Sequence, residues 1–371
     1  MQPKSPEPLV GPSMRADLAS LRTVVQRNCD VSDAVHARSY TLCTYLLKMR
    51  EYFRWEKGYA LTAALAGDAV GDWVEQREQL WESLAWQDYA CLPLAAHCYD
   101  PFDHVSINRA LVPQGLVYSG GYGRFGKPHF FLASLLTVEQ HRDLTVYISS
   151  SEYARDLTAP PAMIQGKHVF VRRESLRRSL WELVEEWRWA KREGPMARVV
   201  AYYGVDQHPE AALEHMTDDQ VVTAVLHEVG EAMAGERLGT AWDEMLVALS
   251  GSNAELVARA VRDHLADCLL TLPTLLEQKE ALPIHCYFAS LRGLRRQLFP
   301  ESVRAYQHWM DNGTLAALQS AVQQGSERFE CLAKAMLDRH GAHGSDLARA
   351  IEDLVDWPGR RGEQAGQGAG Q

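Results

Sequence analysis

The sequence lacks three things: a long apolar run, a CxxC pair and an excess of basic charge. No stretch reaches about 18 consecutive apolar residues, which excludes an ordinary membrane-spanning helix. The 7 cysteines are an odd number, and the closest two are Cys91 and Cys98. Neither a disulfide framework nor a Cys-rich zinc site is expected, and a reducing compartment fits that usage. Lys and Arg number 38 against 48 Asp and Glu, for a net charge of -10. The global electrostatic footprint of a nucleic-acid binder is therefore missing. Met1–Pro12 carries prolines and no apolar run, so it does not read as a signal peptide. No fixed-period repeat is present. The expectation is a cytoplasmic protein that meets neither membrane nor nucleic acid, its partner being an unknown small molecule or protein.

What is there is ordinary globular composition. Of 371 residues, 46% are hydrophobic and 23% charged, enough to bury a packed core. Composition marks disordered tails at 1–13 and 358–371. A short helix is read over Ala16–Asn28, and Asp30 or Ser32 caps a longer one reaching about Lys57. In it Val35, Leu42, Leu46, Met49 and Phe53 fall on one stripe at about 100° per residue. Asp72–Tyr89 and Phe102–Leu111 read as further helices. Gly115–Ser119, His129–Leu135, Leu144–Ser149 and His168–Val171 are short apolar runs that read as three or four strands. Pro160-Pro161 marks a loop. Beyond Glu174 the chain is helical again, apart from one strand read at Val199–Tyr203. A capping box at Thr217–Gln220 and a stop at Gly239 bracket one helix, and a second box opens at Ser252–Glu255. Pro273 should kink or end that second helix. The fold class expected is mainly α: a helical bundle-like domain with a small antiparallel β insertion in the middle of the chain. The helical part 14–111 packs with 173–357 as one domain, and 112–172 is the insertion.

The most informative segment is Leu226-His227-Glu228-Val229-Gly230-Glu231. His227 and Glu231 are i and i+4 and project from one helix face, the placement two ligands of one metal need. The helix is apolar nearly all round, as interior helices are, and Ala224 and Ala234 leave room beside the polar pair. A second half lies in Asp263-His264-Leu265-Ala266-Asp267. His264 and Asp267 fall inside the apolar stripe of their helix, with Asp263 on its edge. A carboxylate buried there needs a partner: a metal, an Arg or the His of the other helix. Four-ligand His/carboxylate sites between helices hold iron, manganese or zinc. The same residues can equally form a hydrogen-bonded network that fixes helix register. His227-Glu228-x-x-Glu231 also matches the zincin HExxH except at its last position, and the motif's specificity lies in the two His. Glu228 is then a candidate general base.

Other residues enter more weakly. Glu56 projects beside Met49 and Phe53 and is a candidate third carboxylate, unless Arg38 pairs with it. Ser119–Pro128 (SGGYGRFGKP) holds Gly121-x-Gly123-x-x-Gly126, but no helix follows as a dinucleotide fold requires. Pro128 stands where a phosphate loop needs Ser or Thr. A flexible hairpin turn is the plain reading; a lid over an anionic substrate is the other, with Arg124, Lys127 and His129 as its working groups. Arg172, Arg173, Arg177 and Arg178 make a basic patch at a helix start, against the helix dipole; an acidic partner or substrate phosphate is one reading, and pairing with Glu174, Glu182, Glu185 or Glu186 the plainer one. The cysteines read as mostly buried small hydrophobes, with Cys268 and His285 as outer candidates.

Cys29–Glu56 (CDVSDAVHARSYTLCTYLLKMREYFRWE), Tyr118–Phe131 (YSGGYGRFGKPHFF) and His264–Leu272 resemble an uncharacterised bacterial family with no assigned activity. The resemblance spans most of the chain. It implies a bacterial cytosolic protein and supplies no catalytic roles.

Two functions follow. The first is a metal-dependent enzyme with His227, Glu231, His264, Asp267 and Glu56 as ligands, Glu228 as base, and water or oxygen activated at an open coordination position. The second is a non-catalytic scaffold or partner-binding protein whose buried His/acid pairs are structural.

Overall fold

A computed structural model describes residues 12–94, 97–342 and 346–355. The expected tails lie outside these residues, apart from Pro12 and Ser13, which open the first helix. The chain forms two compact units. One comprises Met1–Gly123 with Lys127–Trp181, the other Arg124–Gly126 with Glu182–Gln371.

In the first unit, α1 (Pro12–His36), α2 (Leu42–Glu56) and α3 (Gly67–Leu84) precede a two-stranded hairpin of β1 (Leu92–Leu94) and β2 (His97–Tyr99). After α4 (His104–Leu111) come β3 (Leu116–Tyr122), β4 (Pro128–His141), β5 (Leu144–Arg155), β6 (Ala162–Gln165) and β7 (His168–Arg172). The last five form one sheet in the order β3-β4-β5-β7-β6. Asp30 and Ser32 do not cap a helix, because α1 runs straight through them. Their side chains are taken up by tertiary partners: Asp30 accepts from Arg77 and Trp81, and Ser32 donates to the Pro128 carbonyl. Thr41 caps α2 instead, accepting from the Thr44 N–H. Leu21, Val25 and Cys29 of α1 pack on Tyr118, Phe130 and Leu132 of the sheet.

This sheet corrects the expected fold class. Two-thirds of the described residues are helical (67%), so mainly α holds, but the β part is a curled five-stranded half-barrel and not a small antiparallel insertion. The β5–β7 pair is parallel, which a run of hairpins does not produce. The sequence hides the sheet's extent for a physical reason. The outer part of β4 alternates half-buried and exposed residues and reads as polar, and β6 is half-buried throughout, behind Pro160-Pro161.

α5 (Arg173–Ala190) begins in the first unit and ends in the second. The second unit continues with α6 (Pro195–Tyr203), α7 (Pro209–Leu238), α8 (Thr240–Ala248), α9 (Asn253–Ala266) and α10 (Leu272–Gln278). It ends with α11 (Ala281–Ser290), α12 (Gly293–Leu298), α13 (Pro300–Asn312), α14 (Ala316–Ala342) and α15 (Leu347–Glu352). Val199–Tyr203 is helix and not strand. Thr217 is interior to α7, its hydroxyl donating to the Leu213 carbonyl at 2.6 Å. Gly239, at φ 74°, ends α7, and Ser252 caps α9. Helix α9 lies at the centre of this unit, against α7, α12, α14 and α15. Pro273 neither breaks nor ends the α9–α10 run. The backbone widens to a π-turn over Asp267–Thr271, with the Leu272 N–H reaching the Asp267 carbonyl, and the helix resumes.

The cysteine reading is corrected at one place. Cys91 and Cys98 form a disulfide, because the β1–β2 hairpin returns the chain on itself and sets their Cα atoms 5.5 Å apart. Cys29, Cys268 and Cys286 are buried thiols, while Cys43 and Cys331 are exposed. Among the described residues no helix is long and apolar enough to cross a membrane.

Candidate metal centre

The centre begins with a glycine. A Cβ on Gly230 would lie 2.6 Å from the Ala266 carbonyl oxygen, so only glycine lets α7 approach α9 this closely. His227 and Glu231 stand at -3 and +1 from Gly230. Asp263 and Asp267 stand at the same offsets from Ala266. The two i,i+4 pairs therefore face each other across the crossing.

His227, Glu231 and Asp263 each offer a ligand atom, all within 4.8 Å of one another. Asp267 supports this group from behind. Its Oδ1 lies 2.7 Å from His227 Nδ1, and its Oδ2 accepts from Tyr287 at 2.8 Å and from Arg295. A carboxylate on Nδ1 fixes the ring and turns Nε2 outward, the arrangement that orients a metal-binding His. Burial alone would lower the imidazole, but the Asp267 charge outweighs it and raises His227 to about 9. Burial would likewise raise Asp267, and Arg295 and His227 hold it well below the carboxylate range.

His264 goes elsewhere. It stacks on Phe329 at 4.7 Å, meets Phe299 edge-on and donates through Nε2 to the Arg295 carbonyl at 2.8 Å. Burial and then Arg295 lower it to about 4, so it is a neutral packing residue. Glu228 is buried beside the cluster. Its Oε2 has no hydrogen-bond partner, and burial with the nearby Glu231 charge raises the carboxyl to about 8. Two arginines balance the acids: Arg262 pairs with Glu231, and Arg295 with Asp267. Asp263 is held below its usual value; burial opposes this, while Arg295, His227, Arg262 and Arg124 favour it.

Glu56 belongs to the first unit, where Arg77 and the Trp73 indole N–H at 2.9 Å claim it. Lys127 and His129 are also first-unit residues, and both are buried. Lys127 Nζ donates to Asp33 at 2.6 Å and to Thr158 at 2.9 Å, and His129 Nδ1 lies 3.1 Å from Asp156. Every oxygen of that acid pair is used, since Leu157 N–H reaches Asp33 and Thr158 and Ala159 N–H reach Asp156. Asp33 and Asp156 are not among the candidates that motifs single out. The available signal was spacing: Asp33 follows Val25 and Cys29 on one helical stripe. Arg172 is fully buried and grips Glu152 through two nitrogens, at 3.1 and 2.7 Å. His285 stacks on Trp309 and bonds Tyr306.

No curated protein and no solved structure matches the chain. Two family models do, and their limits follow the two halves of the molecule: the N-terminal domain of a family of unknown function over residues 20–172, and its C-terminal domain over 177–357. The candidate centre lies wholly within the C-terminal match, and the chain belongs to that family, DUF6866.

Proposed function

We propose that the chain is a metal-dependent enzyme whose centre is the α7–α9 crossing. The observation that carries this is the convergence of His227, Glu231 and Asp263 within 4.8 Å. The unpartnered Oε2 of buried Glu228 supports it, since a buried carboxyl oxygen without a partner is costly. The donor set is one imidazole and two carboxylates, with Asp267 orienting the imidazole. Among iron, manganese and zinc, that oxygen-rich set leans to manganese or iron. His227, Glu231 and Asp263 would hold the ion, and Glu231 would have to exchange its pairing with Arg262 for the metal. Bound there with an open position, an ion supplies an activated water or oxygen. Glu228, buried beside the cluster, would serve as base or further ligand. The substrate is a small molecule, and the proposed compartment is the cytoplasm. Reductants would act there on the Cys91–Cys98 bridge, so its redox state in cell extract checks the placement.

One observation favours the scaffold reading: Arg262 and Arg295 already neutralise Glu231 and Asp267. Elemental analysis of chain purified without a His tag separates the two. The enzyme reading expects close to one equivalent of iron, manganese or zinc, lost in His227→Ala/Asp263→Ala while the fold persists. Less than about 0.2 equivalents, with no stability gain on adding metal, favours the scaffold.

A further inference from the structure

Two guanidinium N–H groups at the centre lack an acceptor. Arg262 Nε and Arg295 Nε are buried and unpaired. Both arginines otherwise engage acids through Nη2, Arg262 on Glu231 and Arg295 on Asp267, and Arg295 Nε stands 3.9 Å from Asp263. A buried donor without an acceptor costs free energy. Two of them beside one carboxylate cluster mark a place for a ligand that brings acceptor oxygens. The chain's own acids cannot fill that role once a cation takes Glu231 and Asp263, for then the guanidiniums lose negative charge as well. Arginine stays cationic, and its planar fork matches the geometry of an oxyanion. The side chains of Arg295 and His227 keep 30% and 24% of their exposure, which leaves a ligand a way in.

Resting on the metal reading above, we propose that the centre takes its substrate by an oxyanion, a carboxylate or phosphate group held by Arg262 and Arg295 beside the cation. Cation and anion then bind cooperatively. The cation frees Arg262 from Glu231 and draws off the Asp263 charge near Arg295, and the anion restores their charge balance.

The test is the affinity of the full chain for Mn²⁺, followed by the magnetic resonance of the free ion, with and without inorganic phosphate or acetate at fixed ionic strength. Phosphate or acetate is expected to tighten Mn²⁺ by about tenfold or more, and Mn²⁺ to tighten the anion by the same factor. Whichever anion couples identifies the substrate group. Arg295→Gln should cut the coupling to under about twofold. Arg262→Lys, which keeps the charge and loses the fork, should weaken it and remain folded by circular dichroism. Equal Mn²⁺ affinity with and without both anions overturns the oxyanion proposal and leaves the metal reading standing. If neither Mn²⁺ nor Zn²⁺ binds, the metal reading fails, and this inference with it.

Discussion

Burial sets the protonation of single side chains, and Glu174 is the clearest case outside the candidate metal centre. Its carboxyl accepts from the Glu152 N–H, and burial with the Glu152 charge raises it to about 7. An acid raised in the folded state favours folding fully below its unfolded value and loses that contribution as pH climbs to the folded one. Glu174 therefore loses stability progressively from about pH 4.5 to 7 and keeps the full cost above that. Glu174→Gln keeps the acceptor and cannot ionise. It is expected to be about 1–2 kcal/mol more stable than wild type at pH 8, and near wild type at pH 4.5. Urea midpoints at the two pH values check this, and an equal difference at both would refute it. Legibility at this scale was uneven. Helical spacing could put His227, Glu231, Asp263, His264 and Asp267 on inward faces. It could not say that His264 would turn to Phe299 and Phe329, because those rings come from segments far along the chain.

At the scale of elements, the site depends on how closely two helices pass. Gly230→Ala would drive a Cβ to 2.6 Å from the Ala266 carbonyl and push α7 from α9. The expected cost is about 2 kcal/mol, as for overpacking elsewhere, with metal affinity falling because Glu231 and Asp263 separate. Gly235 on the same helix has nothing within 4 Å of its would-be Cβ. Gly235→Ala should be neutral or stabilising by up to about 1 kcal/mol and leave metal binding alone. Thermal unfolding and metal titration of the pair test this; equal behaviour would refute the close-crossing account. The sequence announced α7 and α9 by period and by the Ser252 cap, and it announced β3, β4, β5 and β7 by apolar runs. It did not announce the π-turn. A proline predicts a break, and only the packed unit shows the backbone widening instead to keep Asp267 inward.

At the scale of the whole molecule, the two family halves and the two compact units divide the chain at nearly the same place. Composition could not show this, because both parts carry long helices with similar apolar stripes. Each unit keeps its own buried polar network, Lys127–Asp33–Asp156–His129 in the first and His227–Asp267–Arg295 in the second. In the first, every acid oxygen has a protein donor, as a structural network requires. In the second, Glu228 Oε2 and two arginine Nε atoms are left over. A metal ion is expected to stabilise through the second network, where the candidate ligands lie. An ion that binds only the folded chain adds about 2.7 kcal/mol at a hundred times its dissociation constant, enough to raise the midpoint of a unit this size by about 5–10 °C. Lys127→Met should lower the baseline, because it strands buried Asp33 without its cation, yet keep the full shift on adding Mn²⁺. His227→Gln should lose the shift while changing the baseline less. Scanning calorimetry of both variants decides it. A shift that disappears with Lys127 and survives without His227 would move the metal centre out of the α7–α9 crossing.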